Sequence, residues 1–397
     1  MIRRPLPRAA SPVPLALALV AAPLAAQQAP TPGEGEAGIT TSRSPVRLEL
    51  SGRVSPAVLY ADGGDGRTKV FVVDNDNSGS RFGLAAETTL RDWTAGAVLV
   101  IGVEVNSTDE VGFDDGPQAS ERFGEGDVGE VRQAHAYAEH PRLGLLSLGQ
   151  GDEAGEGASE ADVSGTAPVA QSDVDDTAGG LGFALAEGDG DRVDDFFSNL
   201  DADRSMRLLY ETPGVGGVVA RVSLTQSDEL EPALALLWGA EPAGWRIEAA
   251  LAWRRPDGGD EPEGDVVHGS VSARAPSGTS ATLAAGTFSR DGDGADDPRF
   301  VYAKLGHTLG ELVPGGPTSV SIDGFAGRNA DAFAGPDGAL PRATSIGAGV
   351  VQVIDALSAE LYLGVRRYAL RDVHVDGAPV DDPEDILAVL VGGRIRF

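Results

Sequence analysis

The chain has 397 residues, among them 54 glycines and 25 prolines, and it contains no cysteine. The lack of cysteine excludes disulfides, thiolate metal sites and a cysteine nucleophile. Asp and Glu number 61 against 31 Lys and Arg, which gives a net charge of -30 at pH 7. A chain this acidic is not expected to bind nucleic acid through a phosphate-neutralising surface. Because 41% of the residues are hydrophobic, a disordered acidic polymer is also excluded.

The N-terminal segment has the pattern of a secretory signal. Three arginines within the first eight residues precede an apolar run from Val13 to Ala26 that is rich in Ala and Leu. A positive region followed by a short apolar region is typical of a signal peptide, and the run is shorter than the roughly 20 residues of a membrane-spanning helix. We therefore expect residues 1–26 to be a signal peptide and residues 27–45 to be a flexible leader.

Apolar and polar residues alternate with a period of two along much of the remaining chain. From Trp245 to Arg254, one set of alternate positions holds Trp, Ile, Ala, Leu and Trp, and the other holds Arg, Glu and Ala. The same alternation occurs from Leu48 to Val58 and from Leu387 to Phe397. Because successive side chains of a strand point to opposite faces, each segment is predicted to be a strand with one apolar and one polar face.

The connections between the predicted strands alternate between short and long. Short joins such as Arg91–Asp92 and Ala275–Gly278 are followed by long, acidic, glycine-rich joins such as Ser107–Gly129 and Gly151–Arg204. This pattern is typical of an outer-membrane barrel with short periplasmic turns and long external loops. We therefore predict an all-β fold over residues 46–397, a transmembrane antiparallel β-barrel of about 16 strands around an aqueous channel. The predicted strands are 46–60, 69–90, 93–106, 130–139, 144–150, 205–211, 217–226, 232–240, 245–255, 266–274, 279–289, 299–308, 317–327, 343–353, 358–370 and 386–397.

Five internal segments and the last residue together resemble a known family. The segments are LSGRVSPAVLY (Leu50–Tyr60), FVVDNDNSGSRF (Phe71–Phe82), GLLSLGQG (Gly144–Gly151), SEADVSGT (Ser159–Thr166) and DDFFSNL (Asp194–Leu200), followed by the terminal Phe397. They are similar to the Gram-negative general porins, especially the alphaproteobacterial type, over roughly residues 46–397. The resemblance implies a homotrimer in the lipid of the cell outer membrane, each barrel a passive channel for ions and small polar solutes.

The resemblance also implies a constriction made by the third external loop folded into the lumen. That loop corresponds to residues 151–204, which contain 15 acidic residues and two arginines. In the family, loop acids face arginines on the barrel wall, and the field between them orients dipolar solutes. The acids predicted for this role are Glu160, Asp162, Asp173, Asp175 and Asp176.

The wall arginines predicted to oppose these acids are Arg53, Arg81 and Arg132. At Arg132 the alternation is ambiguous, because His135 and Tyr137 would then take the opposite face. The terminal Phe397 resembles the residue that the family presents to the barrel-assembly machinery. Because acids outnumber arginines at the mouth, we expect weak cation selectivity. Five further arginines are lumen candidates: Arg207, Arg221, Arg246, Arg366 and Arg394.

Two alternatives remain open, a substrate-specific outer-membrane channel and an outer-membrane barrel enzyme. An aromatic slide for sugars would need inward aromatic residues, of which Tyr362 and Tyr368 are candidates. The sequence contains no recognised hydrolase or nucleotide-binding motif, so no catalytic residue, cofactor or metal site is predicted. Residues 74–79 match only the first half of a calcium loop, since Ala85 occupies the position of the bidentate Glu. Calcium binding by the acidic external loops is the one cofactor alternative left.

Overall fold

The structure, a computed structural model, describes residues 39–40, 46–64, 66–113, 128–185, 192–226, 230–257, 262–292, 296–330, 333–335, 338–375 and 377–397. The predicted signal peptide and most of the predicted leader lie outside these residues.

In the described part of the chain, sixteen antiparallel strands form one closed barrel, which confirms the predicted fold class. Each strand pairs with the next in the chain, and the last strand pairs with the first. The strands are β1 (Val46–Val54 continued by Pro56–Asp62), β2 (Thr68–Asp74 and Arg81–Leu90), β3 (Trp93–Val103), β4 (Val128–His140), β5 (Gly144–Asp152), β6 (Arg204–Glu211), β7 (Val218–Gln226), β8 (Leu230–Ala240), β9 (Arg246–Arg254), β10 (Gly264–Arg274), β11 (Thr279–Arg290), β12 (Arg299–Thr308), β13 (Thr318–Arg328), β14 (Arg342–Ile354), β15 (Ala359–Arg371) and β16 (Ile386–Arg396).

The remaining elements are short. Ile39–Thr40 pairs with β1, and His374–Val375 pairs with Ala378–Pro379 in the connection before β16. Among the described residues, one α-helix, α1, spans Val193–Phe196. None of the helices in the described part of the chain is long and apolar enough to span a membrane. Single 3₁₀ turns occupy Asp76–Ser78, Asp175–Thr177, Pro242–Gly244 and Asp355–Leu357.

The two faces of the strands differ as the period-two alternation predicts. On β12 and β13, the outward side chains of Leu305 and Ile322 are 59% and 61% exposed. The inward side chains on the same strands, such as Phe300, Lys304 and Asp323, are buried. An apolar outer face suits contact with lipid, while closure of the barrel pairs the backbone groups of the strands with one another.

Strand β2 is interrupted halfway along its length. Asp74 pairs with Pro56 and Arg81 pairs with Arg53, so six residues of β2 lie opposite only two residues of β1. The extra residues leave the sheet as a 3₁₀ turn, which brings Asp76 to the lumen. The interruption gives the wall an inward projection formed by residues 75–80.

Candidate functional site

The segment between β5 and β6, residues 153–203, is called here the third loop. Its described residues, 153–185 and 192–203, lie against inward-facing side chains of the barrel. Its backbone amides donate hydrogen bonds to wall serines, from Ala161 N to Ser270 Oγ at 2.9 Å and from Val163 N to Ser272 Oγ at 3.1 Å. On β15, the Tyr368 hydroxyl donates to the carbonyl oxygen of Val174 at 2.6 Å. Small serines on β10 let the loop backbone approach the wall, so the loop follows it closely.

A buried ion pair ties the same loop to β12. Lys304 Nζ lies 2.6 Å from Asp162 Oδ2 and also donates to the carbonyl oxygen of Ala170 at 2.7 Å. The Lys304 residue is 2% exposed, and the Asp162 side chain is 8% exposed. A buried charge needs this kind of paired, hydrogen-bonded surrounding, so the two groups depend on each other.

Apolar packing fills the space between the third loop and strands β12 to β15. The ring of Phe197 lies 5.6 Å from that of Phe325 and 5.1 Å from that of Tyr368. Val169 lies over Gly349 and Gly364, where an added Cβ would come within 2.9 Å of its side chain. This side of the lumen is occupied by protein, and the open space lies on the opposite side.

That open space is a cavity of about 880 Å³ with a polar lining. Arg53, Arg81 and Arg132 line it from β1, β2 and β4. From the third loop, Glu160 and other acids line the same cavity. The structure thus brings three wall arginines and part of the acidic loop to one space. The predicted loop acids in the lining are Glu160, Asp173 and Asp176.

Two predicted acids do not line this cavity. Asp162 points to the barrel wall, where it pairs with Lys304. Asp175 lies beside Asp173 and Asp176 in the chain, but its side chain is not part of the lining. In a strand, alternation predicts which side chains point inward, but an irregular loop has no such rule. The sequence therefore could not show which of these acids reach the cavity.

A β-bulge explains the ambiguous direction of Arg132. Val100 pairs with Gln133 and the next residue, Ile101, pairs with Val131, which leaves Arg132 as an extra residue. A bulge of this kind redirects a side chain. Arg132 therefore faces the cavity on the same side as His135, and its Nη1 lies 3.4 Å from Glu104 Oε1.

The five further arginine candidates face inward but have local partners. Arg221 pairs with Glu211 at 2.7 Å, and Arg366 pairs with Asp323 at 2.7 Å in a buried position. Arg207 donates to two backbone carbonyls. Arg246 and Arg394 pair with Glu248 and Glu360. None of the five is among the residues that line the cavity.

Enclosure by loop and wall atoms changes the acidity of the third-loop acids, which lie outside the membrane-spanning strands. Burial raises the pKa of Glu156 to about 7, and the nearby Asp152 carboxylate adds to the rise. Burial also raises the pKa of Glu160, and it raises the pKa of Asp173 and Asp176 well above their usual range. The charge of the cavity therefore depends on pH near neutrality.

The cavity also contains charged residues that were not predicted as constriction residues. Asp201 and Asp203 come from the end of the third loop, and Arg254 comes from the inward face of β9. The sequence held features that could have identified them. Asp201 and Asp203 belong to the acidic stretch 151–204, and Arg254 belongs to the polar face of the strand predicted from Trp245 to Arg254. The other unpredicted charged residues in the lining are Asp76, Asp109, Glu153, Glu156, Arg204 and Glu231.

Two sequence features bear on the remaining alternatives. Tyr362 and Tyr368 point inward but are buried, and no aromatic residue is among the described residues that line the cavity. Asp74 is the first residue of the segment that matches half of a calcium loop, and its carboxylate accepts a hydrogen bond from the Ser80 amide at 2.8 Å. In the described ranges, no group of three or more His, Asp or Glu side chains is arranged to hold a metal ion.

A closed barrel with an apolar outer face and a charged cavity defines the class of β-barrel membrane channels. The chain matches the model of the Gram-negative porin family over residues 14–372. The protein belongs to the Gram-negative porin family, and it is an outer-membrane β-barrel channel. The family and the fold are those of a channel rather than an enzyme.

Solved porin structures share this fold at low sequence identity. The anion-selective porin from Comamonas acidovorans is 18% identical, with a TM-score of 0.56 over 89% of this chain and 100% of that one. In-vitro folded OmpT of Vibrio cholerae is 11% identical, with a TM-score of 0.55 over 90% and 99%. OmpF of Salmonella typhi, in complex with daunomycin, is 13% identical, with a TM-score of 0.54 over 90% and 100%. No curated protein sequence matches the chain.

Proposed function

We propose that this porin lets ions and small hydrophilic solutes diffuse passively, with a modest preference for cations, and that the third loop narrows the passage. The observation that supports this most directly is the charge of the cavity lining, whose described residues include ten acids and five arginines. A cleft lined mostly by one sign of charge concentrates ions of the opposite sign. Three of these arginines, on β1, β2 and β4, oppose this preference on one wall, and Arg204 and Arg254 lie on β6 and β9.

The lining also bears on which solutes are favoured. Acids of the third loop and wall arginines lie on different sides of one cavity, so a transverse field is expected there. The lack of aromatic residues in the described lining argues against a dedicated path for sugars. The Comamonas acidovorans porin is described as anion-selective, so the shared fold does not set the sign of selectivity. The side chains of the lining must decide it.

The sign is tested by the zero-current potential across a salt gradient in planar bilayers. Wild-type protein is expected to prefer cations, and the preference should weaken at high salt because the Debye length falls from about 10 Å at 0.1 M to about 3 Å at 1 M. The R53Q/R81Q/R132Q variant should increase the preference. Because the pKa values of the loop acids are raised, E160Q/D173N/D176N should decrease the preference at a pH high enough to ionise them. An anion-selective wild-type channel would contradict the proposal, as would two variants with the same selectivity as the parent.

We further propose a homotrimer. From Val70 to Val73, no described strand lies along the β2 edge that faces away from β1. The outward side chains of Val70 and Val72 are 64% and 72% exposed. Exposed apolar side chains beside this stretch suit contact with a second copy of the chain. The trimer form of Vibrio cholerae OmpT gives a precedent within the fold.

Export and insertion complete the proposal. We propose that residues 1–26 direct secretion and that Phe397 is the assembly signal recognised by the barrel-assembly machinery. Phe397 supports this role by its place at the closure of the barrel, where it exchanges backbone hydrogen bonds of 2.8 and 2.9 Å with Gly52. Its ring lies over Gly52, where an added Cβ would come within 2.8 Å of it.

A further inference from the structure

The outer face of the barrel carries a row of arginines at the external ends of β12, β13 and β14. Arg299 lies directly opposite Arg328, and Arg328 lies directly opposite Arg342. In an antiparallel sheet, directly opposed side chains are roughly 5 Å apart at Cβ, and like charges there repel. These three residues are called here the arginine row. In a chain with 61 acids and 31 bases, three arginines on adjacent strands need an explanation.

Few groups within the described structure compensate the arginine row. Arg342 Nη2 lies 3.1 Å from Asp372 Oδ2, and both side chains are 55% exposed. Arg328 Nη1 donates to the carbonyl oxygen of Leu340. Arg299 is exposed and has no ion-pair partner among the described residues. Among the described residues, the three guanidinium groups therefore have one carboxylate partner. Their other N–H donors can bind an anion from outside the protein.

A furrow lined mainly by small residues lies directly beneath the row. The next outward positions along the sheet are Ala285, Val301 and Ala326, which pair in register on β11, β12 and β13. These residues, with Val267 and Thr287, line a largely apolar cavity of about 640 Å³ whose external end is bounded by the arginine row. An apolar furrow on a lipid-facing surface suits hydrocarbon, whereas the arginines suit phosphate.

We propose that this site binds a phosphate-bearing lipid of the outer leaflet, with the phosphate held by the arginine row and acyl chain in the furrow. Arginine is suited to phosphate because its planar fork donates two hydrogen bonds at once. The place in the sheet favours a lipid over a soluble anion, since the furrow opens on the side that faces the membrane. On β15 the next residue along is Arg371, directly opposite Arg342, but it pairs with Asp385 at 2.8 Å. The outward residue at the external end of β8 is Leu230, so the row is a local feature rather than a general belt.

The experiment uses purified, folded full-length protein in detergent and native mass spectrometry. Dioleoyl phosphatidic acid is the probe, and dioleoyl phosphatidylcholine has the same acyl chains without the exposed phosphate monoester. Wild-type protein should retain phosphatidic acid in preference, and R299Q/R342Q should retain at least about tenfold less, because each variant position loses charge-assisted hydrogen bonds. The control R91Q/R142Q removes the same charge at the opposite end of the barrel and should retain the lipid as wild type does.

Two further measurements separate the sources of binding. The variant A285F/A326F fills the furrow without changing charge, and it should also lose lipid retention. Excess inorganic phosphate should displace little lipid, and complete displacement would indicate a soluble-anion site and overturn the proposal. Equal retention of both lipids by wild type, or equal retention by R299Q/R342Q, would overturn it as well. So would a loss of oligomer in R299Q/R342Q with lipid retention unchanged, because the furrow would then be a contact between subunits.

Discussion

At the scale of single residues, the site depends on which acids reach the cavity and which are used elsewhere. Glu160 and Asp173 line the cavity, whereas Asp162 is buried against Lys304. Neutralising Asp162 is therefore expected to disturb the loop rather than the selectivity. The sequence shows that the loop is acidic. Which of its acids reach the cavity depends on the irregular path of the loop, and no repeat in the sequence predicts that path.

The pH dependence of selectivity follows from the same acids. Glu156 has a pKa raised to about 7, and the pKa values of Glu160 and Asp173 are raised as well. Groups with a raised pKa are neutral at low pH and gain negative charge as the pH rises through that pKa, whereas the arginines stay protonated. Cation preference should therefore grow between about pH 5 and about pH 9.

The measurement is the zero-current potential at a fixed salt gradient across that pH range. The variant E156Q/E160Q should have a flatter profile, because two of the titrating groups are removed. As a matched control, E241Q removes an exposed carboxylate at the short-turn end and should leave the profile unchanged. A wild-type selectivity that is constant with pH would show that these acids do not set the charge of the passage.

At the scale of elements, the strands and the third loop differ in how far the sequence predicts them. The number and approximate bounds of the 16 predicted strands agree with the observed ones, because the strands have one apolar and one polar face and the sequence shows that alternation. The continuous strand predicted over 69–90 is an exception, since residues 75–80 leave the sheet. The bulge at Arg132 was not predictable, because a single extra residue only makes the alternation look ambiguous. Bulges and loop paths depend on neighbours distant in sequence, such as the pairing of Val100 with Gln133.

The buried ion pair between Asp162 of the third loop and Lys304 of β12 predicts how the loop is held in place. Replacing Lys304 by Met leaves Asp162 buried without its partner, which is expected to cost about 3–5 kcal/mol of stability. The variant K304M should therefore have a loosened loop, seen as a noisier and larger single-channel conductance. The double variant D162L/K304M should recover quiet conductance, since replacing both members of a buried pair with apolar residues is often tolerated.

The control for that experiment is K69M, which removes the other lysine of the chain and leaves the loop tie intact. Its conductance should resemble that of the wild type. If K304M has the same conductance and noise as the wild type, then the ion pair is not what holds the loop in place.

At the scale of the whole molecule, the edge of β2 predicts where copies meet. The variant V70K/V72K places two charges on the exposed apolar face beside that edge. In a subunit contact, like charges brought together on neighbouring copies should convert trimers to folded monomers. The readout is migration of heated and unheated samples on a gel, with mass photometry for the oligomeric state.

The control L305K/I322K places the same charges on β12 and β13, away from that edge. A charged residue on a lipid face costs up to about 2–4 kcal/mol at the bilayer midplane, so this variant should be less stable but still trimeric. Trimers that persist in V70K/V72K would contradict the subunit contact at β2.

The hydrogen bonds between the third loop and the barrel wall also have a consequence for the order of folding. Ser159 contacts His268, 109 residues later, and Val174 accepts its hydrogen bond from Tyr368, 194 residues later. Contacts between residues so distant in sequence form slowly, because a long chain must first be brought together. The loop can acquire its partners only after β10 to β15 are in place. A newly inserted barrel is therefore expected to be wide at first and to narrow late, as the last strands close.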